Sequence, residues 1–231
     1  MVRNYRPNIS LVIPVYNDST YLRRLLNQVT VMNFKDIIVV DGASSDDSCA
    51  TARQYQTVKL LMCERGRGRQ ISQGIAHASG EYIWILHADS SIPDGALGQI
   101  RRILIDNNTV LGCFRLRYNV ENNLLKSFAW LSRFDSPLTT FGDQGFFFRR
   151  QDIPKPEALN AWPLLEDVEL RRILLRRKKG KVRKSSLALT TSARRFVHRG
   201  ILKTQLMNGW ILLRYYCGMD PRKLFREYYD L

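Results

Sequence analysis

Short apolar runs alternate with amphipathic stretches through the first hundred residues of the chain. Residues 10–15 form a nearly unbroken apolar run and read as a buried strand. Leu22, Leu25, Leu26 and Val29 then recur at helical spacing, marking one face of a helix that Asp18 or Ser19 can cap. The pattern repeats: residues 36–41 read as a strand, 45–55 as a helix, 58–63 as a strand, 68–78 as a helix and 82–86 as a strand. Such alternation predicts a parallel, doubly wound sheet with helices packed on it. In that architecture the carboxyl ends of the strands open into one crevice.

Beyond a helix predicted at 94–105 the regularity weakens. Residues 110–118 alternate in the manner of an exposed or edge strand, and 123–133 suit a helix or a partly amphipathic excursion. Residues 145–150 read as a strand. A strong helix follows over 166–179, with Leu170, Ile173 and Leu174 on one side and arginines on the other, and 182–190 return to the sheet. From Gly200 onward Leu202, Leu206, Trp210 and Leu213 make an apolar helical stripe, and a further short helix follows Pro221. There is no internal repeat and no low-complexity linker. A chain of 231 residues fits one large domain or a domain with a helical appendage, and can bury a substantial core.

Charge narrows the choice of partner. The 36 Lys and Arg against 21 Asp and Glu give a net charge of +15, which calls for an anionic partner: nucleotide phosphates, anionic lipid headgroups or nucleic acid. Nucleic acid is disfavoured, because no recognisable reading motif accompanies the charge. Cys49, Cys63, Cys113 and Cys217 lack the close pairs of a zinc site and suit reduced thiols in a cytoplasmic chain. The first residues lead into an apolar run too short for a secretory signal, and no apolar stretch is long enough to span a bilayer. Nine basic residues between Arg171 and Lys184, with Trp210, Tyr215, Tyr216, Tyr228 and Tyr229 further on, raise a peripheral contact with the inner face of an anionic membrane as the alternative to a solvated basic face.

Four segments place polar groups at strand or helix tips: Asn17-Asp18, Asp41 through Asp46, His87-Ala88-Asp89 and Glu166-Asp167. The apolar run Ile83-Trp84-Ile85-Leu86 stops at His87, and in a continuing strand His87 and Asp89 would address one divalent cation or one phosphate from the same face. Taken together, Leu11-Val12-Ile13-Pro14-Val15-Tyr16-Asn17, Ile38-Val39-Val40-Asp41-Gly42-Ala43-Ser44-Ser45-Asp46, and Ala78-Ser79-Gly80-Glu81-Tyr82 leading to His87-Ala88-Asp89 resemble a family-two glycosyltransferase of the GT-A fold. Within that family the chain is similar to a bacterial subgroup with His-Ala-Asp in place of Asp-x-Asp. The resemblance spans roughly the whole chain.

The resemblance implies an α/β GT-A fold, a Rossmann-like, mostly parallel sheet flanked by helices with a C-terminal helical extension. It implies a single domain over 1–231, with a nucleotide-sugar half at about 1–106, an acceptor and catalytic half at about 107–198 and a helical segment at about 199–231. The implied reaction is inverting transfer of a sugar from a nucleotide-diphosphate sugar to a sugar, lipid or small-molecule acceptor, assisted by Mn²⁺ or Mg²⁺. Carried over residue by residue, Pro14, Tyr16, Asn17 and Asp41, with Asp18 more weakly, hold the nucleotide. Asp89 meets the cation and the diphosphate, with His87 beside it. Asp167 is the base that takes the acceptor proton. Glu166, Asp143 and Gln144 face the acceptor.

Two departures from the family pattern stand out. Many relatives carry a second aspartate where this chain has Gly42, and an imidazole at 87 brings less negative charge to a metal than a carboxylate does. They motivate a second reading, a catalytically weak sugar-nucleotide-binding or partner-binding module. Ser44, Ser45 and Asp46 suit a helix cap as well as a ligand contact. Arg65, Arg67 and Arg69 lie at a helix entrance suited to phosphate, with Arg69 the expected contact, and Arg194 or Arg195 is a further diphosphate candidate. Ser192-Ala193-Arg194-Arg195-Phe196 lacks the glutamine and tryptophan of processive relatives, so polymerisation is not implied.

Overall fold

A computed structural model describes residues 8–230; the reading of the first residues lies outside them. In chain order the elements are β1 (Ile9–Val15), α1 (Ser19–Val29), β2 (Asp36–Asp41), α2 (Ser48–Arg53), β3 (Val58–Met62), α3 (Arg67–His77), β4 (Tyr82–Ile85), α4 (Ala96–Leu104) and β5 (Thr109–Tyr118). They continue with α5 (Asn123–Leu131), β6 (Phe147–Arg149), α6 (Glu166–Arg177), β7 (Lys181–Thr191), α7 (Arg194–Arg199), α8 (Ile201–Tyr216) and α9 (Pro221–Asp230). The strands form one sheet in the order β3-β2-β1-β4-β6-β5-β7.

The left half of that sheet is parallel, as the alternation predicts: β1 lies between β2 and β4, with Val15 opposite Asp41 and Val12 opposite Ile85. The break in pattern after residue 105 has a structural counterpart. Strand β6 is inserted antiparallel between β4 and β5, pairing Phe147 with Trp84 and Gly112. A Cβ at Gly112 would lie 1.9 Å from the Phe147 ring, so the glycine makes room for the ring. Strand β7 then closes the edge parallel to β5.

Successive strand residues point to opposite faces, and this alternation builds two cores. Leu11, Ile13, Val15, Val39, Trp84 and Leu86 pack against Leu22, Leu25, Leu26 and Val29 of α1 and Ile100 of α4. Val12, Ile38, Val40, Ile83 and Ile85 pack on the other face against Ile71 and Ile75 of α3 and Leu170 and Leu174 of α6. The result is a helix-sheet-helix sandwich in which the N-termini of α3 and α6 lie at the carboxyl ends of the parallel strands.

The C-terminal helices do not share these cores. Ile211 of α8 meets Leu224 and Tyr228 of α9 over Leu164 and Leu165. The stripe Leu202, Leu206, Trp210 and Leu213 faces outward. Among the described residues no helix is long and apolar enough to cross a membrane.

Candidate active site

The loops after β1 and β2 are locked to one another. Asn17 and Ala43 both adopt left-handed backbone conformations (φ 49° and 62°), which costs energy in residues with a Cβ and persists only where surrounding bonds enforce it. Asn17 Oδ1 accepts from the Ser45 backbone N–H (2.8 Å), and the Asn17 N–H donates to Ser44 Oγ (2.9 Å). Asp46 serves both helices, accepting from the Ser19 N–H through Oδ2 (2.9 Å) and from the Ser48 N–H through Oδ1 (3.0 Å). The capping role expected of the 44–46 segment is therefore present, and it extends to α1. Asp18, expected as a cap of α1, makes no capping bond. Its carboxylate is taken by Arg194 in a bidentate pair (2.6 and 2.5 Å), a stronger interaction than a bond to one neutral N–H.

Asp41 is fully buried at the end of β2. Its Oδ1 accepts from the Ser44 N–H (2.8 Å), while Oδ2 has no hydrogen-bond partner among the described residues. The Cys49 thiol is pushed up by burial and then by the Asp41 charge beside it. Pro14 is buried in β1, whereas Tyr16 and Asn17 are exposed at its tip. Arg65 stacks over the Tyr16 ring, 4.3 Å from its centroid.

Gln70 was not anticipated as part of this site. Its Nε2 donates to the Val15 carbonyl (2.6 Å) and the Val40 carbonyl (2.9 Å), clamping the ends of β1 and β2 together. A Cβ on Gly42 would meet the Gln70 amide at 3.0 Å. The position where many relatives have a second aspartate is thus crowded by Gln70.

At the end of β4 the chain does not continue as a strand through Asp89. The strand stops at Ile85, and a turn closes from the Ser90 N–H to the His87 carbonyl (3.1 Å). A second tether joins Ser91 to Thr190 at the end of β7 (2.7 Å) and carries Arg194 and Arg195 toward Asp89. Burial, then the positive charges of Arg67 and Arg195, hold the His87 imidazole well below its ordinary range. Asp89 is raised, chiefly by burial and further by Asp18, against the opposing pull of Arg194, Arg195 and Arg67.

Gly142 joins this turn to α6. Its N–H donates to Asp167 Oδ2 (2.7 Å), and a Cβ there would lie 3.0 Å from the Asp167 Cβ and 3.4 Å from His87 Nε2. His87 and Asp167, eighty residues apart in the chain, therefore flank one glycine. Asp167 Oδ1 accepts from the Val168 N–H (2.8 Å). Next to Gly142, the Asp143 carboxyl is pushed up to about 6 by burial, then by Asp167 and Asp89, and its Oδ1 is shut off from solvent without a partner. Glu166 is buried and raised to about 7, chiefly by burial, although Arg67 reaches it at 3.3 Å.

Two expected residues turn elsewhere. Gln144 is 1% exposed, donates to the Thr139 carbonyl (2.5 Å) and accepts from Lys184, so it braces the loop instead of facing an acceptor. Arg69 pairs at the surface with Glu64 and lines a cleft of about 340 Å³ with Arg65, Trp162 and Arg222. Arg67 is the arginine drawn to the buried acids. The helical period carried this signal, since Arg67 lies one turn before Ile71 on the buried face of α3, and Arg69 does not.

The profile of glycosyl transferase family 2 matches residues 10–164. An uncharacterised glycosyltransferase of Rickettsia prowazekii is 32% identical over 113 residues, 46% of this chain and 36% of that one. The GalNAc(5)-diNAcBac-PP-undecaprenol beta-1,3-glucosyltransferase of Campylobacter jejuni is 28% identical over 103 residues, 41% of this chain and 33% of its own. These matches span about a third of the relatives' length. In three dimensions, glucosyl-3-phosphoglycerate synthase from Mycobacterium tuberculosis, solved with Mn²⁺, UDP and phosphoglyceric acid, superposes with a TM-score of 0.64 at 15% identity, covering 92% of this chain and 79% of that one. A mannosyltransferase from Pyrobaculum calidifontis, solved with GDP-Man and Mn²⁺, gives 0.62 at 20% identity, covering 81% and 57%. The fold is thus the α/β architecture of GT-A glycosyltransferases, and with the family profile matched over two-thirds of its length the chain belongs to glycosyl transferase family 2.

Proposed function

We propose that this protein transfers a sugar, with inversion, from a nucleotide-diphosphate sugar to an acceptor hydroxyl, assisted by a divalent cation. The observation that carries the reading is the meeting of His87, Gly142 and Asp167 at the mouth of the sheet, with Asp89 and Asp143 electrostatically coupled to the same spot. The nucleotide belongs on the other side of the crevice, where Tyr16 and Asn17 are exposed at the tip of β1 and the Asp41 carboxylate lies buried at the adjoining end of β2.

The residues fit a cation held jointly with its substrate. Among the described residues no three His, Cys, Asp or Glu side chains form a cage. Asp89 and His87 stand largely but not fully buried at a turn, and Asp143 Oδ1 is a shielded carboxylate oxygen with no donor. Asp89 and His87 would hold the ion, which when bound supplies positive charge to the departing diphosphate. Arg67, Arg194 and Arg195 add fixed positive charge around Asp89. The two backbone N–H groups on Asp167 fix its carboxylate as the base that takes the acceptor proton.

The test is titration calorimetry with UDP- and GDP-sugars in Mn²⁺ or Mg²⁺. Saturable binding that Asp41→Ala and Asp89→Ala weaken is expected, and no binding of any sugar nucleotide would overturn the reading. The second reading, a binding module, is motivated by the imidazole at 87. Donor binding without hydrolysis or transfer across an acceptor panel would favour it.

A further inference from the structure

Of the 36 Lys and Arg, fourteen lie between Leu170 and Met219, where there is no Asp or Glu; the other 22 share the rest of the chain with all 21 acidic residues. The net charge thus resides almost wholly in one continuous stretch. The same stretch holds the exposed apolar stripe of α8: Leu202 is 63% exposed, Leu206 74%, Trp210 58% and Leu213 55%. Spacings of four, four and three put these side chains on one narrow face of the helix. Lys203 borders it, as does Arg214, whose guanidinium pairs with Glu227 of α9, while Thr204 and Ile211 point into the protein. Val197 of α7 and Tyr216 are exposed as well.

Nucleic acid would neutralise the cations and leave the leucines in water. An anionic bilayer meets both demands, because an amphipathic helix in the interface buries its apolar face among acyl chains while its basic border meets headgroups. We infer that α8, with the basic segment leading into it, docks this protein on the surface of an anionic lipid bilayer, without crossing it. The stretch passes beside the site, since Arg194 and Arg195 act on Asp89, so docking would set the acceptor side of the proposed crevice near the headgroups.

The inference is independent of the transfer reaction, because the experiment uses neither donor nor acceptor. The full chain is floated with vesicles of phosphatidylcholine alone or with about one-third phosphatidylglycerol. Binding to the anionic vesicles is expected, weakened by salt. Leu202→Ser with Leu206→Ser should reduce it about tenfold or more, and Lys203→Ala about fivefold, the equivalent of about 1 kcal/mol per basic residue. These positions are exposed, and unchanged circular dichroism and melting temperature would show that the variants remain folded. No binding to anionic vesicles would overturn the proposal, as would binding unaffected by the leucine substitutions. A dimer in lipid-free solution that those substitutions convert to monomer would also overturn it, identifying a second copy as the occupant.

Discussion

At the tips of β1 and β2 the backbone is fixed mainly by neutral hydrogen bonds from Asn17, Ser44, Ser48 and Gln70. Around Gly142, by contrast, four acids and three arginines act on one another in a poorly hydrated space, and both Asp143 and Glu166 are raised by burial. Neutral bonds tolerate burial, so these loops hold their shape without a ligand, although the buried Asp41 carboxylate keeps one oxygen without a partner among the described residues. Buried charges are costly unless balanced, so the second gains most from the ligand it binds. The contrast suits a crevice with a preformed nucleotide side and a charge-sensitive reaction side.

The largest effects should come from removing carboxylates on the reaction side. Asp167→Asn keeps an oxygen for the Gly142 N–H and removes the base. Transfer should fall about 10²- to 10⁴-fold while the calorimetric donor Kd holds within about twofold. If transfer survives, Asp167 is not the base. Asp89→Ala should instead weaken donor binding in the presence of the cation and leave metal-free nucleotide binding nearly unchanged. Equal loss in both conditions would mean that Asp89 acts on the fold and not through the ion.

Stability should depend on pH through the same acids. Glu166 is raised from 4.5 to about 7, so the folded protein holds a proton there that the unfolded chain has released. That contribution is fully present below about pH 4.5 and is lost as pH rises through about 7. Its full span is on the order of 3 kcal/mol. Glu166→Gln should flatten this part of the curve, making the variant relatively more stable at pH 8 than at pH 5 in urea unfolding. A parallel pair of curves would contradict the burial argument.

What the sequence revealed follows the same division. Strands β1, β2 and β4 were readable because both faces of each are buried, leaving continuous apolar runs such as Ile37-Ile38-Val39-Val40. The direction of β6 was not, since three residues carry no mark of whether a strand runs parallel or antiparallel. The family resemblance pointed to the acids at 89, 143, 166 and 167, and the fold brings them within electrostatic reach of one another. Their partners were not readable, because Arg67 and Glu166 are 99 positions apart and meet only when α3 and α6 stack on the same face. The outward turn of Leu202 and Leu206 was hidden as well: an apolar stripe looks alike whether it faces a core or a membrane.

A smaller effect would probe the neutral side. Gly42→Ala places a methyl group against Gln70, and a displaced amide would leave the Val15 and Val40 carbonyls short of a donor. A loss of about 1–3 kcal/mol in urea unfolding is expected. Gln70→Ala already forfeits those bonds, so adding Gly42→Ala to it should cost little more. Additive losses would show that the two positions are independent and that the glycine has another cause.

The smallest expected effect discriminates between two arginines of one helix. Arg69 and Glu64 form a surface pair whose members are 45% and 81% exposed, and exposed pairs contribute little. Arg69→Ala should change stability by no more than about 0.5 kcal/mol. Arg67→Ala removes the guanidinium that reaches the buried Glu166 and lowers the Asp89 carboxyl. Donor affinity should therefore drop with Arg67→Ala and stay within about twofold with Arg69→Ala. The reverse order would move the diphosphate out of the crevice and into the cleft beside Trp162 and Arg222, where Arg69 is a wall, and with it the division between a neutral nucleotide side and a charged reaction side.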